Sequence, residues 1–278
     1  SLAHPIAFEF VNYDFDFTTA IWISDTDGGF YDPENWMHGL VPRNSQDVFI
    51  CRPSADPVIL IAPPALKPGE VLIQDGSVGT IFMDEPFILD GGSSGYAVFV
   101  HNKWTSTKSG ILKSGYLRLL SDSTFSGPIT LDGGGFLTRG NTEFLSDFNV
   151  IHGWMTLDDP ETELSIAGTI TPGDLGITNR SGKTFEIAWI TTLGETNPEL
   201  YISARGAGSV LRLPNLVSLT PPPEDSPEEV SMQLVAEFGG VIDLPKLQTI
   251  HPGRIEIEEF GDGSQVNIPL IDFESGSD

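Results

Sequence analysis

Three segments near the end of the chain decide its fold: "GSVLRLPNLVSL" (208–219), "GGVIDLPKLQTI" (239–250) and "GSQVNIPLIDF" (263–273). They superimpose on their prolines. Leu211, Leu213, Leu216 and Leu219 surround Pro214; Ile242, Leu244, Leu247 and Ile250 surround Pro245; Val266, Ile268 and Ile271 surround Pro269. The prolines fall 31 and then 24 residues apart, and the surplus of seven is the length of "PPPEDSP" (221–227), which reads as a loop bulging from one repeat. A fainter echo precedes them in "PFILDGG" (from 86), "PITLDGG" (from 128) and "WMTLDD" (from 154). Its aspartates Asp90, Asp132 and Asp158 stand 42 and 26 residues apart, as two coils and then one of about 21 to 26 residues would place them.

Everything outward from these repeats reads as strand and turn. "FEFVNYDFDF" (8–17), "ELSIAGTI" (163–170), "TFEIAWI" (184–190) and "RIEIEEF" (254–260) alternate with the period of half-buried strands. Between them "DGGSSG" (90–95), "LDGGGF" (131–136), "NRSGK" (179–183) and "GDGS" (261–264) read as tight turns. No amphipathic helical stripe exceeds about two turns. A helix-free repeat this short cannot bury its apolar side alone and must stack on its neighbours. The expected fold is therefore all-β, a right-handed parallel β-helix. Leu213, Leu244 and Ile268 form one inward column and Leu216, Leu247 and Ile271 a second, with each proline at a corner where no ladder amide is needed. A β-sandwich with coincidental LPxL strings is the alternative; a leucine-rich repeat, the other LxxL solenoid, would need an Asn position and a helical side that are not seen. The expected division is an N-terminal strand and capping segment over 1–44, the β-helix over 45–273 and a flexible tail over 274–278.

Composition narrows the function classes. The 14 basic and 39 acidic residues give a formal net charge of −25, which repels nucleic acid and attracts cations. Cys51 is the lone cysteine, so no intrachain disulfide forms; after Val48, Phe49 and Ile50 it reads as a buried apolar thiol. The longest apolar run, "VILIAPPAL" (58–66), is too short and proline-broken to span a membrane. No signal peptide is recognisable, and an opening Ser1 instead of Met suits a processed or excised piece.

"WISDTDGGFYDPENWMHGLVPRNSQDVFI" (22–50) carries Trp22, Asp32, Pro33, Asn35, Trp36, Gly39, Pro42, Asp47, Val48 and Ile50 in a distinctive spacing. This stretch resembles the opening segment of bacterial extracellular parallel β-helix proteins, including autotransporter passenger-like and planctomycete-type surface proteins. The resemblance covers about 30 residues and implies an extracellular or cell-surface location; beyond it the chain matches only in style. A solenoid end needs a cap. Trp22 and Trp36 are suited to lie over the first coil, Asp32 and Asn35 to bind turn backbone, and Gly39 and Pro42 to redirect the chain so that Val48 and Ile50 point inward.

Candidate chemistry is sparse. Asp25, Asp27, Asp32 and Glu34 supply oxygen ligands of the kind calcium takes, without the EF-hand spacing; a turn held by Asx hydrogen bonds is the alternative. Asp158 and Asp159 could serve sugar chemistry, but Pro160 follows them as in a solvated turn. His4, His38, His101, His152 and His251 share no metal spacing. Trp104, Trp154 and Trp189 are core, cap or glycan platform, with core or cap the favoured reading. The expected function is a non-enzymatic extracellular structural or adhesive surface module that needs no cofactor. Its partners are copies of itself or a neighbouring domain at the C-terminal edge, and surface glycans. The alternative is a carbohydrate-active β-helix, a polysaccharide lyase or glycoside hydrolase.

Overall fold

The computed structural model describes residues 19–24, 32–39, 41, 47–50, 58–61, 77–78, 81–84, 86–90, 96–100, 103–194, 200–226 and 230–269. Among these, every ladder between named strands is parallel. Helix among the described residues is confined to two short 3-10 turns, Pro33–Asn35 and Met37–Gly39. The chain is a parallel β-solenoid. Parallel pairing excludes the antiparallel sandwich, and the described coils carry no helical side of the leucine-rich type.

Each early coil has three faces. Thr19–Ile21, Asp47–Ile50, Ile81–Met83, Trp104–Ser106, Ser123–Phe125, Thr142–Phe144 and Leu164–Ile166 stack as a seven-stranded sheet, the first face. The second and third faces share a thirteen-stranded sheet. The coils run from 19 residues (Thr105 to Thr124) to 33 (Val48 to Ile81), a wider range than the repeats alone suggest.

Period-two alternation sends alternate side chains inward. Val48, Ile81 and Trp104 share one first-face column, and Ile50 and Met83 lie in the other; all five are fully buried. Further along, Phe125 and Phe144 stack with centroids 5.1 Å apart, and Phe144 meets Phe148 of the second face at 4.6 Å. Residue size is matched between coils. Phe87, Gly110 and Ile129 are in register, and a Cβ on Gly110 would lie 2.2 Å from Phe87 Cζ.

The "LDGGGF" stretch is not a tight turn but lies within one strand, Ile129–Thr138. The ladder to Phe148–Leu157 shifts register between Leu131 and Gly135, and Gly133 takes φ +98°. This is a bulge that folds one continuous strand from the second face to the third. "PFILDGG" and "PITLDGG" are two coils apart as expected, through Leu89, Leu112 and Leu131. "WMTLDD" does not belong to that series. Leu131 pairs with Val150, whereas Leu157 pairs with Thr138 at the far end of the third face. Leu131 stands before the bulge of its strand and Leu157 at the far end of the next, and the string alone does not say which position it marks.

Later coils replace the first two faces with a four-stranded sheet, Thr184–Glu186, Val210–Arg212, Val241–Asp243 and Gln265–Asn267, and a three-stranded one, Thr192–Leu193, Ser218–Leu219 and Thr249–Ile250. Leu211 pairs with Ile242 and Ile242 with Val266, so Leu213, Leu244 and Ile268 follow two residues on in one column. Leu213 and Leu244 are fully buried and Ile268 half-buried. The prolines form the corners: Leu216 N–H donates to Leu213 O at 3.3 Å and Leu247 N–H to Leu244 O at 3.2 Å. That is a β-turn with proline at its favoured second position. Ile271 lies outside the described residues. An earlier repeat in the same register is Phe185, Ile187 and Ile190, where Ala188 replaces the proline. The described part of the "PPPEDSP" loop, 221–226, rests on the next coil, with Arg254 N–H donating to Pro222 O at 2.7 Å.

At the other end Trp22 and Trp36 are both buried and meet edge-on, centroids 5.1 Å apart. Trp22 N–H donates to Phe49 O at 3.0 Å, which extends the Thr19–Ile21 strand along the first face. His38 and Gly39 take φ +62° and +66° as the chain turns away. "FEFVNYDFDF", Pro42 and Cys51 lie outside the described residues.

Candidate functional site

Of the carboxylates singled out in the sequence, Asp158 and Asp159 have structural partners. Asp158 Oδ2 accepts from Arg139 Nε at 2.8 Å and lies 2.7 Å from Nη2, and Asp159 Oδ1 accepts the Glu161 N–H at 2.9 Å. The Asp158–Asp159 pair is thus one cross-coil ion pair and one turn, not two carboxylates aimed at one substrate. Arg212 likewise sits between Glu186 (3.5 Å) and Asp243 (3.0 Å) of the coils on either side. Asp32 and Glu34 are exposed around the Pro33–Asn35 turn; the Asp32 side chain makes no capping bond there, and its backbone O accepts the Asn35 N–H at 3.1 Å. Asp25 and Asp27 lie outside the described residues. Among the described residues no group of three His, Cys, Asp or Glu is placed to hold a metal ion.

The tryptophans divide. Trp104 is fully buried and Trp189 packs on the core beside Phe148 at 6.4 Å. Trp154 is neither core nor cap. Its neighbours Met155 and Ile177 point inward, so Trp154 points outward from the third face. It belongs to an outer row made of Gly135, Trp154, Gly176, Tyr201, Gln233 and Glu256. The indole leans over Gly135, whose absent Cβ would otherwise lie 2.5 Å from Trp154 Cδ2. Gly176 lies between Trp154 and Tyr201 in this row and is itself buried: a Cβ there would meet Tyr201 O at 3.3 Å and Trp154 Cβ at 3.5 Å.

The result is a shallow groove of about 320 Å³ whose lining includes His152, Trp154, Thr156, Gly176, Thr178 and Tyr201. Thr156 and Thr178 form the adjacent outer row, and Ser203 Oγ donates to Thr178 Oγ1 at 3.1 Å. At one end of the groove His152 Nδ1 stands 3.9 Å from Asp132 Oδ1. No linear pattern marks this site, because Trp154, Gly176 and Tyr201 are separated by coils of different length.

A second surface is the last described third-face strand, Ile255–Phe260. It pairs with Met232–Glu237 on one side and, among the described residues, with no strand on the other. Ile257 continues the inward column of Ile177, Ile202 and Leu234, all fully buried, yet it is 43% exposed. Phe260 and Phe238 are exposed beside it, and Arg205 lies 5.2 Å over the Phe238 ring. Glu259 occupies the inward position that Ala204 and Ala236 fill below, and its Oε1 accepts the Val266 N–H at 2.8 Å. Glu256 and Glu258 add charge along the same strand.

The chain matches no protein-family model, no curated protein and no solved structure. Among the described residues no helix is long and apolar enough to cross a membrane.

Proposed function

We propose that this solenoid is a non-enzymatic structural or adhesive module working outside the cell, and that it joins a second copy of itself through the Ile255–Phe260 edge. The observation that supports this reading is the exposure of Ile257 at a column position buried in every coil beneath it from Ile177 on. Covering that end buries apolar surface at about 25 cal/mol per Å² and completes the edge hydrogen bonds. Glu256, Glu258 and Glu259 set the terms of contact: acidic edges repel one another unless a cation lies between them. Calcium is the suited bridge, being an oxygen-seeking ion. Cross-coil ion pairs such as Arg139–Asp158 and Arg212–Asp243 engage basic side chains on the coil walls. The test is multi-angle light scattering of the wild type and Ile257→Lys, each with and without calcium. The expected result is calcium-dependent association that Ile257→Lys abolishes. A monomer indifferent to calcium, or an oligomer indifferent to Ile257→Lys, overturns the proposal.

The second reading, a carbohydrate-active enzyme, is favoured by one arrangement, the His152–Asp132 pair beside Trp154. Turnover of uronate or neutral polysaccharide that is lost in Asp132→Asn would establish it in place of the first.

A further inference from the structure

From the third-face groove we infer a binding site for an extended, neutral pyranose chain lying along the solenoid axis, with Trp154 and Tyr201 as its two platforms. A sugar ring has apolar C–H faces and a hydroxyl rim, so its binding site combines aromatic faces with small hydrogen-bonding groups. The groove supplies both. Trp154 and Tyr201 project from strands two coils apart and the indole leans a further coil away, over Gly135, so the platforms lie about 10–15 Å apart at the usual strand spacing. That separation fits rings two to three apart along an extended chain, which passes over the buried Gly176 between them. Gly176 keeps the row low between the platforms, since any side chain larger than alanine would crowd Tyr201 O and Trp154 Cβ and rise into the path of the chain. Thr156 and Thr178, both more than nine-tenths buried, form the polar floor of the groove in the next row, and the half-exposed His152 supplies a hydrogen-bonding group at its end. The formal charge of −25 disfavours uronates and sulfated chains and so selects neutral sugars. The platforms are on rigid strands of the central sheet and not on loops, so little ordering cost accompanies binding. This inference stands apart from the edge proposed for self-association, and the two fail separately.

The test is titration calorimetry with β-1,4-glucan and β-1,4-N-acetylglucosamine oligomers from di- to hexasaccharide, with an oligogalacturonate as the charged comparison. At least one neutral series binds, and its affinity rises sharply at the tri- or tetrasaccharide, the shortest chains that reach both platforms. Trp154→Ala and Tyr201→Ala each weaken binding by at least about tenfold, the loss expected of an aromatic anchor. Gly176→Leu abolishes binding while Gly176→Ala retains it, with thermal unfolding of both variants confirming the fold. No binding of either neutral series at millimolar concentration, preference for the galacturonate, or affinity unaffected by Gly176→Leu would each overturn the assignment.

Discussion

Replacing Gly110 with alanine tests the packing between coils at one atom. Glycine to alanine in a strand ordinarily stabilises, by about 0.4–1 kcal/mol, because the unfolded chain loses freedom. Here the sign reverses. The new Cβ would lie 2.2 Å from Phe87 Cζ and 2.4 Å from Cε1, so the ring must retreat by more than about 1 Å to reach ordinary contact. Phe87 is 1% exposed and already stands 5.2 Å from the Trp104 ring. Overpacking of this kind costs about 1–3 kcal/mol, and the blocked retreat places the cost near the upper end. Phe87→Leu alone costs a further one to two, roughly, through the volume it leaves empty. Together the two changes fit one another, and the double variant recovers about 1–2 kcal/mol of the sum, a coupling typical of residues in contact. Urea unfolding followed by circular dichroism reads all four corners of the cycle. A stabilising Gly110→Ala, or a cycle additive within about 0.5 kcal/mol, refutes the register that sets Gly110 over Phe87.

Trp36→Ala removes a side chain that is 1% exposed and packed edge-on against Trp22; a loss of about 3–5 kcal/mol is expected, read as a lower thermal midpoint. Leu244→Ala, fully buried in the proline-cornered column, costs about 2–5 kcal/mol, and Ile268→Ala, half-buried in the same column, costs measurably less in the same urea titration. Asp158→Asn breaks only the surface pair with Arg139 and shifts stability by less than about 1 kcal/mol, an effect that shrinks further in high salt.

The repeats near the C-terminus were legible because proline marks the same corner in each coil and the apolar spacing around it is constant. The coil before them was not, because Ala188 stands where the others have proline, although Phe185, Ile187 and Ile190 keep the column. The burial of Trp36, Val48 and Ile50 also followed from the sequence. The "LDGGGF" bulge read as a turn because glycine reports freedom of φ, which a strand bend uses as readily as a hairpin. The groove was illegible for a different reason. Trp154 to Gly176 is 22 residues and Gly176 to Tyr201 is 25, and no fixed period aligns them. Only the register, set by inward partners such as Ile177 and Ile202, brings them into one row.

In-register stacking of parallel coils underlies every surface described above, and disulfide trapping tests it most directly. In a Cys51→Ser background, Arg212→Cys with Asp243→Cys places two thiols on adjacent coils at paired positions, about 4.8 Å apart in the strand-to-strand direction and within disulfide reach. Glu186→Cys with Asp243→Cys uses the same column two coils apart, about 10 Å, beyond that reach. Mild oxidation followed by mass spectrometry is expected to close the first bridge and leave the second pair free. Failure of the first pair to close, or closure of the second in its place, would contradict the stack.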